Sequence, residues 1–283
     1  MNSYLYKDNP VFNGYISLSP EFAFDMEKRV PERLALITKP IFYYQAMAEG
    51  DKDELKERAL VLTQNAKAIP NAKFKFTSEE IIGTTHYSVV ANAIPSALYF
   101  MFDGYAPISM TEFQTKIVKL DKGYTQYLID KYTNLQEKLG IDIKPRLTDF
   151  KAIEAAILKN KAYPELQELS KYAEKNYPKT TLSVYHQALY YEKMGEFKKA
   201  TKDYHQITRI DRDNQDPIVF YNLGITYTKM GKFKNAINAF DKALVLNPTY
   251  LLALQGNASA KTMAGRYEEA IVDYNKVLDN NSF

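Results

Sequence analysis

Three glycines frame the second half of the chain. Gly195, Gly231 and Gly265 lie in the segments Lys-Met-Gly-Glu-Phe, Lys-Met-Gly-Lys-Phe and Met-Ala-Gly-Arg-Tyr. Five residues after each glycine stands an alanine (Ala200, Ala236, Ala270), and four residues later an aromatic (Tyr204, Phe240, Tyr274). The glycines are 36 and then 34 residues apart. A period of this length means one helix–turn–helix unit per repeat, because a lone hairpin cannot bury both faces and gains stability by stacking. The alanines let the two helices of a hairpin approach closely, and the aromatics fill the space between successive hairpins. A nonrepetitive helical bundle would have no reason to match so many positions.

The middle unit carries Phe220, Leu223-Gly224, Tyr227, Gly231, Ala236, Phe240, Ala243 and Pro248. At this spacing it resembles the tetratricopeptide repeat (TPR). The third unit keeps the second helix but has Asn257 and Lys261 at the Leu and Tyr positions of the first. The resemblance implies a groove along the first helix of each hairpin. By position, that groove presents Tyr185 and Leu189, then Tyr221 and Ile225, then Gln255 and Ser259. Asn222 is present without the Lys/Asn set that clamps a partner's terminal carboxylate, so the groove is expected either to take an apolar peptide or to be covered by the same protein, the two weighing equally. An apolar face normally marks an interface of one kind or the other. Phe150 to Tyr177 reads as a degenerate hairpin that caps the array.

The first hundred residues differ. Short β-rich runs at Gly14–Leu18, Pro40–Ala46 and Ala72–Thr77, each followed by a polar or turn-like stretch, enclose a helical pattern over Asp53–Ala68. Strands alternating with helices predict parallel βαβ units. A further apolar helix is expected over Ser88–Phe102, with Pro95 able to kink it. Thr111-Glu112-Phe113-Gln114 matches a capping box. Leu128, Tyr132, Leu135 and Leu139 then mark a helix face ending at Gly140.

The run Asn9-Pro10-Val11-Phe12-Asn13-Gly14-Tyr15-Ile16-Ser17-Leu18-Ser19-Pro20-Glu21 resembles a strand of the esterase branch of the α/β-hydrolase superfamily, downstream of its serine nucleophile. The resemblance covers residues 1–106. It implies that the triad acid follows the next strand and the triad histidine the one after. Glu49 and His86 take those places, with Asp51 and Asp53 as alternatives for the acid. The order Ser, acid, His is that of α/β-hydrolases. A serine needs a neutral imidazole to take its proton, and the imidazole needs a carboxylate to hold its tautomer. No Gly-x-Ser-x-Gly occurs, and Ser3 lies in Met-Asn-Ser-Tyr without elbow glycines. The nucleophile would stand upstream of Met1, so the chain is expected to be the rear part of a longer enzyme, truncated and inactive as written. Some members of the esterase family also carry a helical linker and a TPR tail.

The expected organisation is a partial α/β-hydrolase-like parallel sheet over 1–106, a helical linker over 107–147, a capping hairpin over 148–180 and three TPR-like repeats over 181–283. The expected function is a TPR protein-interaction module attached to the rear half of an esterase-like domain; the alternative is a fragment of an active carboxylic-ester hydrolase. Composition narrows the field further. The chain has no cysteine, which removes disulfides, thiolate metal sites and a thiol nucleophile. Its three histidines show no metal-ligand spacing. His186 and His205 read as ordinary residues of the helical array, and no cofactor is expected. The net charge of +3 comes from interspersed lysines and glutamates without a concentrated basic face, so nucleic acid is not an expected partner. No apolar run approaches a membrane span. Cytoplasmic location is the default, with a periplasmic or secreted one if an upstream half carries a signal peptide.

Overall fold

The computed structural model describes residues 5, 10–140, 142–213 and 215–280, with side chains through 278. It divides into two compact units, Met1–Pro107 with Ile129–Lys144, and Ile108–Leu128 with Pro145–Phe283.

In the first unit three strands, β1 (Gly14–Leu18), β2 (Ile41–Ala48) and β3 (Phe74–Ile81), form a parallel sheet in the order β1-β2-β3. Helices α1 (Met26–Ala35), α2 (Asp53–Lys67) and α3 (Val89–Met101) follow the strands in turn. Side chains alternate across a strand, and here both faces are covered. Tyr15, Tyr43 and Met47 join Leu34, Leu62 and Ala66 of α1 and α2. Phe42, Tyr44, Ala46 and Ala48 pack on Val89, Ala93 and Ala97 of α3. This sandwiching explains why β2 is buried along its whole length. Tyr15, Tyr43 and Phe76 are in register across the sheet, and their rings stack at 6.3 and 6.1 Å. The central strand's one polar residue, Gln45, donates to the Ala59 carbonyl at 3.0 Å and to the Thr63 hydroxyl at 3.1 Å.

Helix α1 falls where the sequence reads as a polar, turn-like stretch between Pro20 and Pro40. Pro31 lies inside it and is buried, so tertiary packing overrides a residue that usually ends a helix.

The second unit begins with α4 (Met110–Thr115) and a 3-10 turn at Ile117–Lys119. Thr111 is not the cap of α4. Ser109 is, its hydroxyl accepting from the Glu112 amide at 3.0 Å, so the capping pattern starts two residues earlier. Helix α5 (Tyr124–Leu139) supplies residues to both units. The 107–147 stretch is therefore shared between the units. Lys138 sits 5.5 Å from the Phe42 ring in the first, while the Ile108 amide donates to Asp149 at 2.9 Å in the second.

Four helical hairpins follow: α6 (Leu147–Lys159) with α7 (Glu165–Asn176), α8 (Leu182–Lys193) with α9 (Phe197–Ile210), α10 (Pro217–Lys229) with α11 (Phe233–Leu246), and α12 (Leu251–Met263) with α13 (Tyr267–Asn280). Gly195, Gly231 and Gly265 make the turns inside the last three with φ of 79°, 70° and 78°, a left-handed conformation that favours glycine. Ala200 and Ala236 are fully buried and Ala270 nearly so.

Candidate functional site

Among the described residues, chemistry-bearing side chains converge at the strand ends of the first unit and in the repeat array of the second.

The first place lies at the carboxyl ends of the strands, where open parallel sheets gather functional loops. Residues just past β1, β2 and β3 meet there: Ser19, Asp51 and His86. His86 Nδ1 is 2.8 Å from Asp51 Oδ1. The other carboxylate oxygen, Oδ2, accepts from the Ser19 hydroxyl at 2.6 Å and from the Ala48 amide at 2.8 Å. The Asp51 side chain is 1% exposed, that of His86 35%. Burial pushes the Asp51 carboxyl upward, but the hydrogen bonds from Ser19, Ala48 and His86 outweigh it and hold the carboxyl below the usual carboxylate range.

Glu49 is not the partner of His86. Its carboxylate accepts from the Gly83 amide at 2.7 Å, and its own amide donates to the Ile81 carbonyl at 3.2 Å. Together with the Gly50 amide on the Thr84 carbonyl at 2.9 Å, these bonds tie the loop after β2 to the turn before α3. Glu49 thus shapes the platform, and Asp51 holds the ring. Asp53 is the first residue of α2. Ser19 stands in the Leu-Ser-Pro run, whose pattern alone does not mark it as a partner of the acid. Its φ of 40° is unusual for a non-glycine residue, and a serine between a strand end and a proline was the available signal. With Nδ1–H donating to Asp51, the Nε2 lone pair of a neutral ring is left as a base.

The second place is a cavity of about 660 Å³ in the repeat array, between α6, α8, the end of α9 and the start of α10. Phe150, Tyr185, Ile207, Phe220 and Tyr250 give it an apolar and aromatic wall. Tyr185 is held from two sides: Asn222 Nδ2 donates to its hydroxyl at 3.3 Å, and that hydroxyl points to Glu154 Oε1 at 3.5 Å. Burial, with the Glu154 charge adding to it, pushes the Tyr185 hydroxyl far above its ordinary range, so it remains a proton donor. His186 is 1% exposed. Its Nε2 lies 3.1 Å from Glu154 Oε2, and its ring stacks on Phe150 at 6.0 Å.

Of the six expected groove residues, Tyr185 lines this cavity, whereas Gln255 and Ser259 of α12 do not. Tyr221 is half-buried, its ring 5.4 Å from that of Tyr250 and 6.1 Å from that of Phe240. Ile225 is also half-buried and packs with the core around Phe240. Leu189 is 2% exposed and so cannot touch a ligand without rearrangement. The recess lies nearer the start of α8 and α10 than their middle turns, which the repeat frame alone does not reveal. His205, on the surface of α9, has Nε2 at 2.8 Å from the Tyr227 hydroxyl.

Among the described residues no group of His, Asp or Glu could hold a metal ion. Among the described residues no helix is long and apolar enough to cross a membrane either.

Residues 183–214 and 217–250 match family models of the tetratricopeptide repeat, so these two hairpins are tetratricopeptide repeats. A crystal structure of an uncharacterised protein from Capnocytophaga ochracea DSM 7271 is 28% identical to the chain, with a TM-score of 0.67. The match covers 80% of this chain and 65% of that one; the chain thus spans about two thirds of that structure's length. The 41-end form of MamA from Desulfovibrio magneticus RS-1 is 17% identical with a TM-score of 0.42, covering 58% of this chain and 95% of its own. A search of curated proteins finds no match. Tetratricopeptide repeats of this kind mark a protein-interaction module.

Proposed function

We propose that the chain is a peptide-binding protein whose repeat array takes a segment of a partner protein into the cavity between α6, α8 and α10. The observation that carries this reading is the cavity itself: about 660 Å³ of recess, walled by aromatic and aliphatic side chains, on successive hairpins of the array. Ligand sites are concave, largely apolar and supplied with a few fixed polar groups. Tyr185, Glu154 and His186 are such groups, held by one another. The test is selection of peptides from a display library on the intact chain, followed by affinity measurement. Replacing Tyr185 and Tyr250, which both line the cavity, by alanine should weaken the selected peptides about tenfold or more, as loss of an aromatic anchor does, with helix content unchanged. Equal affinity in the double variant would place binding elsewhere.

A second reading is favoured by the Asp51–His86 pair. A buried carboxylate holding Nδ1 of an imidazole, past successive parallel strands, has the arrangement of an α/β-hydrolase acid and base. On this reading the first unit is the rear part of an esterase-type sheet, with His86 as base and Asp51, rather than Glu49, as acid. The serine would have to come from outside the described residues.

A further inference from the structure

The charges around the array cavity say what kind of segment it would take. Three carboxylates line it, Glu154, Asp211 and Asp216, against the single ammonium of Lys151. Each is fixed by a bond from its own surroundings. Asp211 Oδ2 accepts from the Thr181 hydroxyl at 2.7 Å, and Asp216 Oδ1 caps α10 by accepting from the Ile218 amide at 2.9 Å. Glu154 is held by His186 and Tyr185. The wall therefore offers acceptors in excess of donors. Its rings offer more of the same, because an aromatic face attracts a cation. The array already uses this: Lys242 Nζ stands 5.7 Å from the centre of the Phe220 ring, which also lines the cavity.

We propose that the cavity selects a basic amphipathic segment, with lysine or arginine side chains meeting the three carboxylates and apolar side chains meeting the rings. This rests on the peptide-binding reading and adds the chemistry of the partner. A carboxylate-bearing segment would face like charge, which costs affinity across an interface.

The experiment uses the full chain and three fluorescein-labelled peptides of equal length, alternating leucine with lysine, with glutamine or with glutamate. Expected is binding of the lysine peptide about tenfold or more tighter than the glutamate peptide, a difference that shrinks as salt screens the charges. The triple variant Glu154→Gln, Asp211→Asn, Asp216→Asn keeps acceptor oxygens in place and removes the charge. It should bring the lysine peptide to the affinity of the glutamine peptide, which itself should bind the variant and the parent alike. Circular dichroism of the variant checks that the helices remain. If only the substitution at the exposed Asp216 leaves the chain folded, the single variant Asp216→Asn should still lower lysine-peptide affinity selectively. Equal binding of all three peptides by the parent would overturn the charge preference and leave the groove standing. A lysine preference that survives in the folded variant would overturn the assignment to these carboxylates. If no peptide binds in the cavity, the peptide-binding reading falls together with this one.

Discussion

At Asp51 the chain makes its most specific commitment: one carboxylate receives Ser19, Ala48 and His86. Two consequences can be measured. Nitrogen chemical shifts of the neutral His86 ring should show the proton on Nδ1, and Asp51→Asn should remove that preference. A ring with its proton on Nε2 in the parent would contradict the pair. The carboxyl's depressed titration also has a sign. Its stabilisation is present above the unfolded aspartate value of about 3.9 and is lost as pH falls through the lower folded value. Asp51→Asn should therefore cost about 1–3 kcal/mol at neutral pH, and the difference from the parent should shrink on acidification below pH ~4. A difference independent of pH would mean that the charge is not what stabilises the site. The sequence made His86 and the loop after β2 legible, but not which acid in Glu49-Gly50-Asp51-Lys52-Asp53 faces the ring. That choice depends on the turn at Gly50, whose amide is bonded to the Thr84 carbonyl, and no residue pattern specifies it.

The repeat frame turns into packing at the elements. Gly224 of α10 and Gly256 of α12 both lie against Phe240, where an added Cβ would come within 2.6 Å of the ring in either case. Gly224→Ala should thus destabilise the chain by about 1–3 kcal/mol through overpacking, and so should Ala236→Leu at the buried contact within the α10–α11 hairpin. Thermal unfolding of the two variants is the check, and an unchanged transition would mean the frame is misassigned. The third repeat shows how a departure from the pattern is repaired. Asn257 Nδ2 donates to Asp241 at 2.7 Å, and Lys261 pairs with the buried Asp273 of α13. Polar residues stand at two apolar positions because neighbouring helices supply carboxylates. The hairpins were readable because glycine, alanine and aromatic positions recur. Helix α1 was not, because a proline inside it and prolines on both flanks outweigh its short apolar stripe of Val30 and Leu34.

For the whole molecule, the two proposed readings fall on different units. The first unit holds the bonded pair Asp51 and His86 without a Gly-x-Ser-x-Gly motif in the sequence, and an imidazole without nucleophile and oxyanion donors does little chemistry. The chain should hydrolyse an activated ester such as p-nitrophenyl acetate at the background rate, unchanged by His86→Ala. Robust turnover would show that a nucleophile has gone unrecognised. The second unit holds the proposed binding surface, and its location is the central claim. Hydrogen–deuterium exchange of the full chain, with and without a peptide selected on it, tests that claim most directly. Slowed exchange is expected in α6, α8 and the start of α10, the segments that wall the cavity. Slowed exchange confined to the sheet and its helices over 14–101, with the array unaffected by a bound peptide, would contradict it.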